Sequence, residues 1–252
     1  MFLFNRSTIF GIALVLLLTA CGGGGGGGGG FTPIDTTVDY DISKALFGTP
    51  GVSRTLTGSG TDAGGDVWTL NRVITTLITP DLADVCLAGE TQQDDAFTLT
   101  EDTGNVITSA GPSCYTTAGL IQNIFSLNET AVPRRYTFLT TGGTLPLTAR
   151  IGDGGLAGIW DRFEDTNGDR FYNGTGGGDT FIGSSTTNWR LEDQNGRAAI
   201  VLSAVIRDIF GTQIGSETDT FFITPSGTMT AFEIKIALAG AGGSLTLNGI
   251  IK

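Results

Sequence analysis

Ala231-Phe232-Glu233-Ile234-Lys235-Ile236-Ala237-Leu238 puts Phe232, Ile234, Ile236 and Leu238 on one side of an extended chain and Ala231, Glu233, Lys235 and Ala237 on the other. Successive side chains of a strand point to opposite faces, so this period of two marks a strand with one buried face. Leu245 and Leu247 repeat the alternation after a turn at Gly240–Gly243. From Phe31 onward the apolar stretches are rich in Thr, Val, Ile and Phe, and Gly, Asp and Asn punctuate them at short intervals. That composition describes strands and turns. The expected fold is all-β: an antiparallel sandwich or barrel built from hairpins, with little helix.

Tight hairpins are expected where Asn-Gly pairs supply the left-handed backbone of a two-residue turn. A turn at Asn195-Gly196 sets Leu191 opposite Ile200 and Trp189 opposite Leu202, all on one side of the ribbon. The same register at Asn167-Gly168 sets Phe163 opposite Tyr172 and Asp165 opposite Arg170. Asp62-Ala63-Gly64-Gly65-Asp66 is a looser turn before Val67-Trp68. Helix signals are confined to Pro80–Leu87 and Gly119–Leu127, a turn or two each, and Val132-Pro133 is a point where the 31–252 domain can subdivide. Trp68, Trp160 and Trp189 read as core aromatics.

The chain of 252 residues has 25 acidic against 14 basic residues, a formal charge of −11. That excess opposes binding to nucleic acid and to anionic lipid headgroups, which both require a basic surface. There is no histidine and there are three cysteines. These counts exclude a Ser-His-Asp triad, a Cys-His pair, and zinc sites with imidazole or four thiolate ligands. Any catalysis has to come from carboxylates, lysine, tyrosine or an oxygen-bound cation.

Arg6 is followed by an apolar run, Thr8 to Ala20, ending Leu18-Thr19-Ala20-Cys21. A basic residue, a short apolar run and small residues at a cut site describe a secretory signal over residues 1–20, and the run is too short to span a bilayer. Leu18-Thr19-Ala20-Cys21 resembles the lipobox of bacterial lipoproteins. The resemblance implies that the Cys21 sulfur carries a diacylglycerol, that cleavage occurs before it, and that the new N-terminus is acylated. Each buried methylene contributes roughly 0.8 kcal/mol, so two or three chains anchor stably. Gly22, where aspartate retains enterobacterial members at the inner membrane, implies outer-membrane residence, facing the periplasm or the cell surface. The glycine run Gly22–Gly30 has no side chain to bury and reads as a flexible tether with a mean span of about 15–18 Å. Cys86 and Cys114 then remain as an even pair in an exported chain, the usual setting for a disulfide.

Acidic residues are densest at Asp161, Glu164, Asp165, Asn167 and Asp169. Asp165-x-Asn167-x-Asp169 fits ligand positions 1, 3 and 5 of a calcium loop, but Arg170 stands where that loop needs glycine and Gly176 where it needs glutamate. Asp179 is available to close a different geometry. The alternative is a solvated hairpin tip in which Asp165 pairs with Arg170. A glycosidase would need two carboxylates roughly 5–9 Å apart with one raised pKa, which neighbours on an exposed turn do not supply. Gly152–Gly155 and Gly174–Gly178 lack the lysine and following helix of phosphate loops and read as plain loops. Gly158-Ile159-Trp160 resembles the Gly-x-Trp of lipocalin-like barrels, which implies binding of a small apolar molecule, although in that family the motif opens the first strand. Sparse aromatics argue against a membrane-spanning barrel.

The sequence thus leads to a non-enzymatic, membrane-anchored envelope lipoprotein whose β domain binds an envelope protein or glycan, or contributes structure. A lipocalin-like carrier is the alternative, and a carboxylate-dependent glycan hydrolase the second. No cofactor beyond calcium is expected.

Overall fold

A computed structural model describes residues 34–252 except 79–85, 88, 118, 171, 173 and 239–242. The signal peptide, Cys21, the glycine run, most of Pro80–Leu87 and most of the Gly240–Gly243 turn lie outside the described residues.

Twelve strands form a closed antiparallel barrel. In chain order they are β2 (Ser53–Asp62), β3 (Val67–Thr76), β4 (Thr91–Glu101), β5 (Val106–Thr116), β6 (Gln122–Asn128), β7 (Arg134–Gly142), β9 (Gly154–Asp165), β10 (Thr180–Asp193), β11 (Ala198–Arg207), β12 (Gln213–Ile223), β13 (Met229–Leu238) and β14 (Ser244–Ile251). Chain neighbours pair throughout, and β14 closes the circle on β2 through Leu247↔Gly60 and its flanking residues. Two short strands, β1 (Tyr40–Asp41) and β8 (Thr148–Ala149), pair outside the barrel wall. Closure leaves the barrel itself without an open sheet edge.

Several expectations hold in detail. Trp189 faces Leu202 and Leu191 faces Ile200 across the Asn195-Gly196 turn. The 62–66 turn joins β2 to β3, and β13 carries Phe232, Ile234 and Ile236 into the core. All three tryptophans are buried. Others fail. Gly119–Leu127 is mostly strand β6, because pairing with β5 and β7 outweighs a weak local helical pattern. Asn167-Gly168 is not a two-residue turn: Phe163 faces Phe181, and Asp165 lies beside Arg134 instead of Arg170. Val132-Pro133 falls in the β6–β7 turn, and strands on both sides of it share the one barrel.

A barrel of eight strands is just filled by its own side chains, and twelve strands enclose more space. Here Trp68, Trp160, Trp189, Phe221 and Phe232 occupy the interior with Leu56, Leu99, Leu191 and Leu247. The Phe232 ring reaches across to β14 and β2, where a Cβ on Gly249 or Gly58 would stand 2.6 or 2.8 Å from it. Glycine inside a strand marks such a close approach.

One end is stoppered by helix α1 (Ile42–Phe47). Asp41 caps it by accepting from the Lys44 N–H at 2.7 Å, and Gly48, at φ 69°, ends it by returning its N–H to the Lys44 carbonyl. Barrel side chains hold the last carbonyls: Arg54 donates to Ala45 and Leu46, Gln93 to Leu46, and Thr76 to Phe47. Ile42 and Phe47 are buried beneath. The turns β10–β11 and β12–β13 lie at this stoppered end. The turns β2–β3, β4–β5, β6–β7, β9–β10 and β11–β12 lie at the other, the hairpin end.

Outward positions are polar over much of the wall: Thr55, Thr57, Ser59 and Thr61 on β2, Thr98 and Thr100 on β4, Glu233 and Lys235 on β13. A lipid-embedded barrel needs an apolar band about 25 Å tall there.

Candidate functional site

Two places concentrate polar chemistry: the barrel interior below α1 and the β9–β10 connection.

Below α1 lies a part-open cavity of about 60 Å³, bordered by Leu46, Phe47, Arg54, Arg72, Asp95 and Tyr115 among others. An enclosed cavity that holds benzene measures about 150 Å³. The acids and bases here largely satisfy one another. Arg72 grips Asp95 through Nε and Nη2, with the shortest contact at 2.5 Å. Burial, then the neighbouring Arg72 charge, lower Arg54 to about 10, and burial followed by Asp95 pushes the Tyr115 phenol up to about 12. Asp219 on β12 is fully buried, flanked by Leu202 and Ile234, and Glu217, two residues before it on the same strand face, is its side-chain hydrogen-bond neighbour. Desolvation raises its pKa to about 6 against the pull of Arg72.

The β9–β10 connection is built differently. Thr180 pairs with Glu164, so Asp179 and Asp165 come one step beyond the last rung, across from one another. Thr166 and Thr180 confirm the approach with their hydroxyls 3.2 Å apart. Both aspartates are about 95% buried, Asp165 at 4% and Asp179 at 5% exposure. The Asp165 Oδ1 accepts the Gly168 N–H at 2.7 Å, while its Oδ2 has no hydrogen-bond partner and sits 3.8 Å from the Arg134 guanidinium. The Asp179 Oδ2 accepts from the Tyr136 phenol, and its Oδ1 has no partner. Burial first, then the bond to Asp179, holds the Tyr136 phenol above its ordinary range. The Gly174 N–H donates to the same phenol oxygen at 3.0 Å.

Asn167 and Asp169 belong to the same loop. The Asn167 amide donates to the Asp169 carboxylate at 2.9 Å and to the Gly177 carbonyl at 2.8 Å, and its Oδ1 accepts from the Asp169 N–H at 3.0 Å. Asp165 thus ends β9, Asn167 and Asp169 lie in the loop that follows it, and Asp179 comes from the facing side of the ladder.

Beneath the loop, on the outside of the barrel, Tyr136 stacks on Phe163 with centroids 5.3 Å apart. Phe125, Phe138, Tyr172 and Phe181 continue the cluster. Cys86 and Cys114 are joined by a disulfide that ties the β3–β4 connection against the same face.

Comparison with protein-family models, with curated proteins and with solved structures finds no match to this chain. Its function has to be argued from its own geometry.

A third acidic group, Asp62, Asp66 and Glu101, joins the β2–β3 and β4–β5 turns. Asp62 accepts from the N–H groups of Gly64 and Asp66 and from the Trp68 indole, and Glu101 from Thr103 and Asn105. These are turn-closing bonds.

Proposed function

We propose that this chain is a lipid-tethered envelope protein that works by binding at the hairpin end of its barrel, without catalysis and without an internal cargo. The observation that carries this reading is the stopper. The chain enters the described fold at Ile34 and runs through β1 into α1, so the tether leaves from the stoppered end. With a tether averaging about 15–18 Å, that end stays near the bilayer and the hairpin end points away from it.

The hairpin end carries apolar side chains that no packing requirement places there. Phe210 is 84% and Val132 97% exposed, and Ile209, Val106 and Val67 are exposed around the same rim. Exposed aromatic and aliphatic residues at loop tips on a rigid scaffold are the usual raw material of a protein interface. The carrier alternative has less support: the interior is filled with tryptophan, phenylalanine and leucine, and its small cavity is charged. Trp160 lies on β9, the seventh in chain order of the twelve wall strands and not the first. The hydrolase alternative also has less support: Asp95 is engaged by Arg72, and Asp165 and Asp179 lie under a loop.

In cells producing the full chain, formaldehyde cross-linking is expected to give a discrete envelope adduct with wild type. The double variant Ile209→Ser/Phe210→Ser should lose that adduct, and Ile78→Ser at the opposite end should retain it. Equal adduct yield from all three would refute binding through the hairpin rim.

A further inference from the structure

We propose that Arg162, on the inner face of β9, anchors a site for a small inorganic oxyanion, of the phosphate or sulfate type, inside the hairpin half of the barrel. Leu139 and Trp160 pair across the β7–β9 ladder and both pack in the interior core. Thr137 and Arg162, two residues along each strand and likewise paired, therefore face the same interior. Arg162 lies three residues from the end of β9, about 10 Å below the hairpin rim. It is 5% exposed, and its Nη1 has no hydrogen-bond partner.

The charge around it does not balance. Arg162 takes part in none of the ion pairs among the described residues. Its partners across the two ladders, Thr137 and Gly183, bring no negative charge. The carboxylate two residues on, Glu164, is engaged by Arg135 through Nε at 2.9 Å and Nη2 at 2.6 Å. Two guanidiniums thus share one carboxylate, and one positive charge is left over. Burial, then the Arg135 charge, lower Arg162 to about 10, so it stays charged at neutral pH. A buried charge without a counter-charge is costly to keep, and an anion removes that cost.

The donor chemistry selects the kind of anion. Ser126 pairs with Thr137, Ser113 with Ser126, and Ser185 with Trp160, which puts a row of hydroxyls on the same inner face. Ser113, Ser126 and Ser185 are all buried. Ser113 also borders the part-open cavity below α1, so the row leads from that cavity towards Arg162. A guanidinium presents its N–H donors as a planar fork, and hydroxyls add donors from other directions. That set matches the several oxygens of a tetrahedral oxyanion better than a single halide ion. The occupant is an ion that completes the interior, not a carried organic molecule. Its binding requires neither the tether nor the hairpin rim.

The test uses the full chain, unfolded and refolded in a buffer whose only small anion is chloride, then given sodium phosphate or sodium sulfate. At about 10 mM either salt is expected to raise the Tm by about 4–8 °C over sodium chloride of equal ionic strength, the shift that ligand at roughly ten to a hundred times its Kd gives a domain of this size. Arg162→Met is expected to abolish that shift while its Tm in chloride alone equals or exceeds that of wild type, because the unpaired charge is gone. Arg170→Gln, exposed in the β9–β10 loop, should keep the shift. The proposal is overturned if neither phosphate nor sulfate moves the wild-type Tm beyond chloride, or if Arg162→Met keeps the full shift. It is equally overturned if Arg162→Met melts well below wild type in chloride or fails to fold, since the guanidinium would then be partnered by the protein itself.

Discussion

Replacing Cys86 and Cys114 with alanine is expected to lower the unfolding free energy by about 3.5 kcal/mol, the loop-closure contribution of a cross-link over this span. The two residues are 28 apart in sequence. The bond holds the β3–β4 connection across the outside of β5, where Cys114 is fully buried beside Phe125. Without it Cys86 is no longer held there, and the aromatic cluster of Phe125, Tyr136, Phe163 and Tyr172 loses part of its cover. The loss therefore includes a packing share as well as chain entropy. Urea unfolding of the oxidised and the thiol-reduced protein measures it, with the alanine pair as control. A reduced protein with an unchanged urea midpoint would contradict the role assigned to the bond.

Asp219→Asn is expected to act in the opposite sense, raising stability at pH 7.5 by on the order of 3 kcal/mol. The sign follows from linkage. Burial raises the folded-state pKa of Asp219 from 3.8 to about 6. Below the unfolded value the group is neutral in both states and has no ionisation penalty. As pH rises through about 6 the folded protein must hold a buried charge, and that part of the stability is lost. Arg72 offsets the cost without cancelling it, because its guanidinium is committed to Asp95. Asp95 adds negative charge to the same interior, while a hydrogen bond with Glu217 offsets part of the cost. The gain from asparagine should accordingly fall to near zero by pH 4. Urea unfolding of both proteins at pH 7.5 and pH 4 checks this. A variant less stable than wild type at pH 7.5 would show that the carboxylate is better partnered than its geometry indicates.

The hairpins were readable because their determinants are local. Asn195-Gly196 carries its own left-handed turn, at φ 57° and 81°, and the alternating Trp189, Leu191, Ile200 and Leu202 fix which face is buried. Closure was not readable, because it rests on β14 meeting β2 across nearly the whole described chain, and both strands alternate in a sandwich as well as in a barrel. Helix α1 spans six residues, too few for a helical period to register, and its stability comes from Arg54, Gln93 and Thr76 on distant strands.

At the β9–β10 connection the motif was legible and its geometry was not. Asn167-Gly168 has the composition of a hairpin turn. Its Gly168 N–H instead bonds back to Asp165, and the chain continues to Thr180 before the next strand begins. Residues 165 and 179 are brought together by the pairing of Glu164 with Thr180, which no local pattern encodes. The interior charges were missed for a related reason. Glu217, Asp219 and Phe221 share one strand face, and a face mixing acids with an aromatic reads as surface until the barrel closes around it.

The mass of the protein extracted from cells that produce the full chain, taken first under native and then under denaturing conditions, tests the proposed tether and filled barrel most directly. The denatured mass should equal the chain from Cys21 onward plus a diacylglycerol and an acyl group, and the native mass should exceed it by no more than a small inorganic ion. A chain that still begins at Met1, a bare Cys21 thiol, or a stoichiometric organic molecule present only in the native mass would contradict the account.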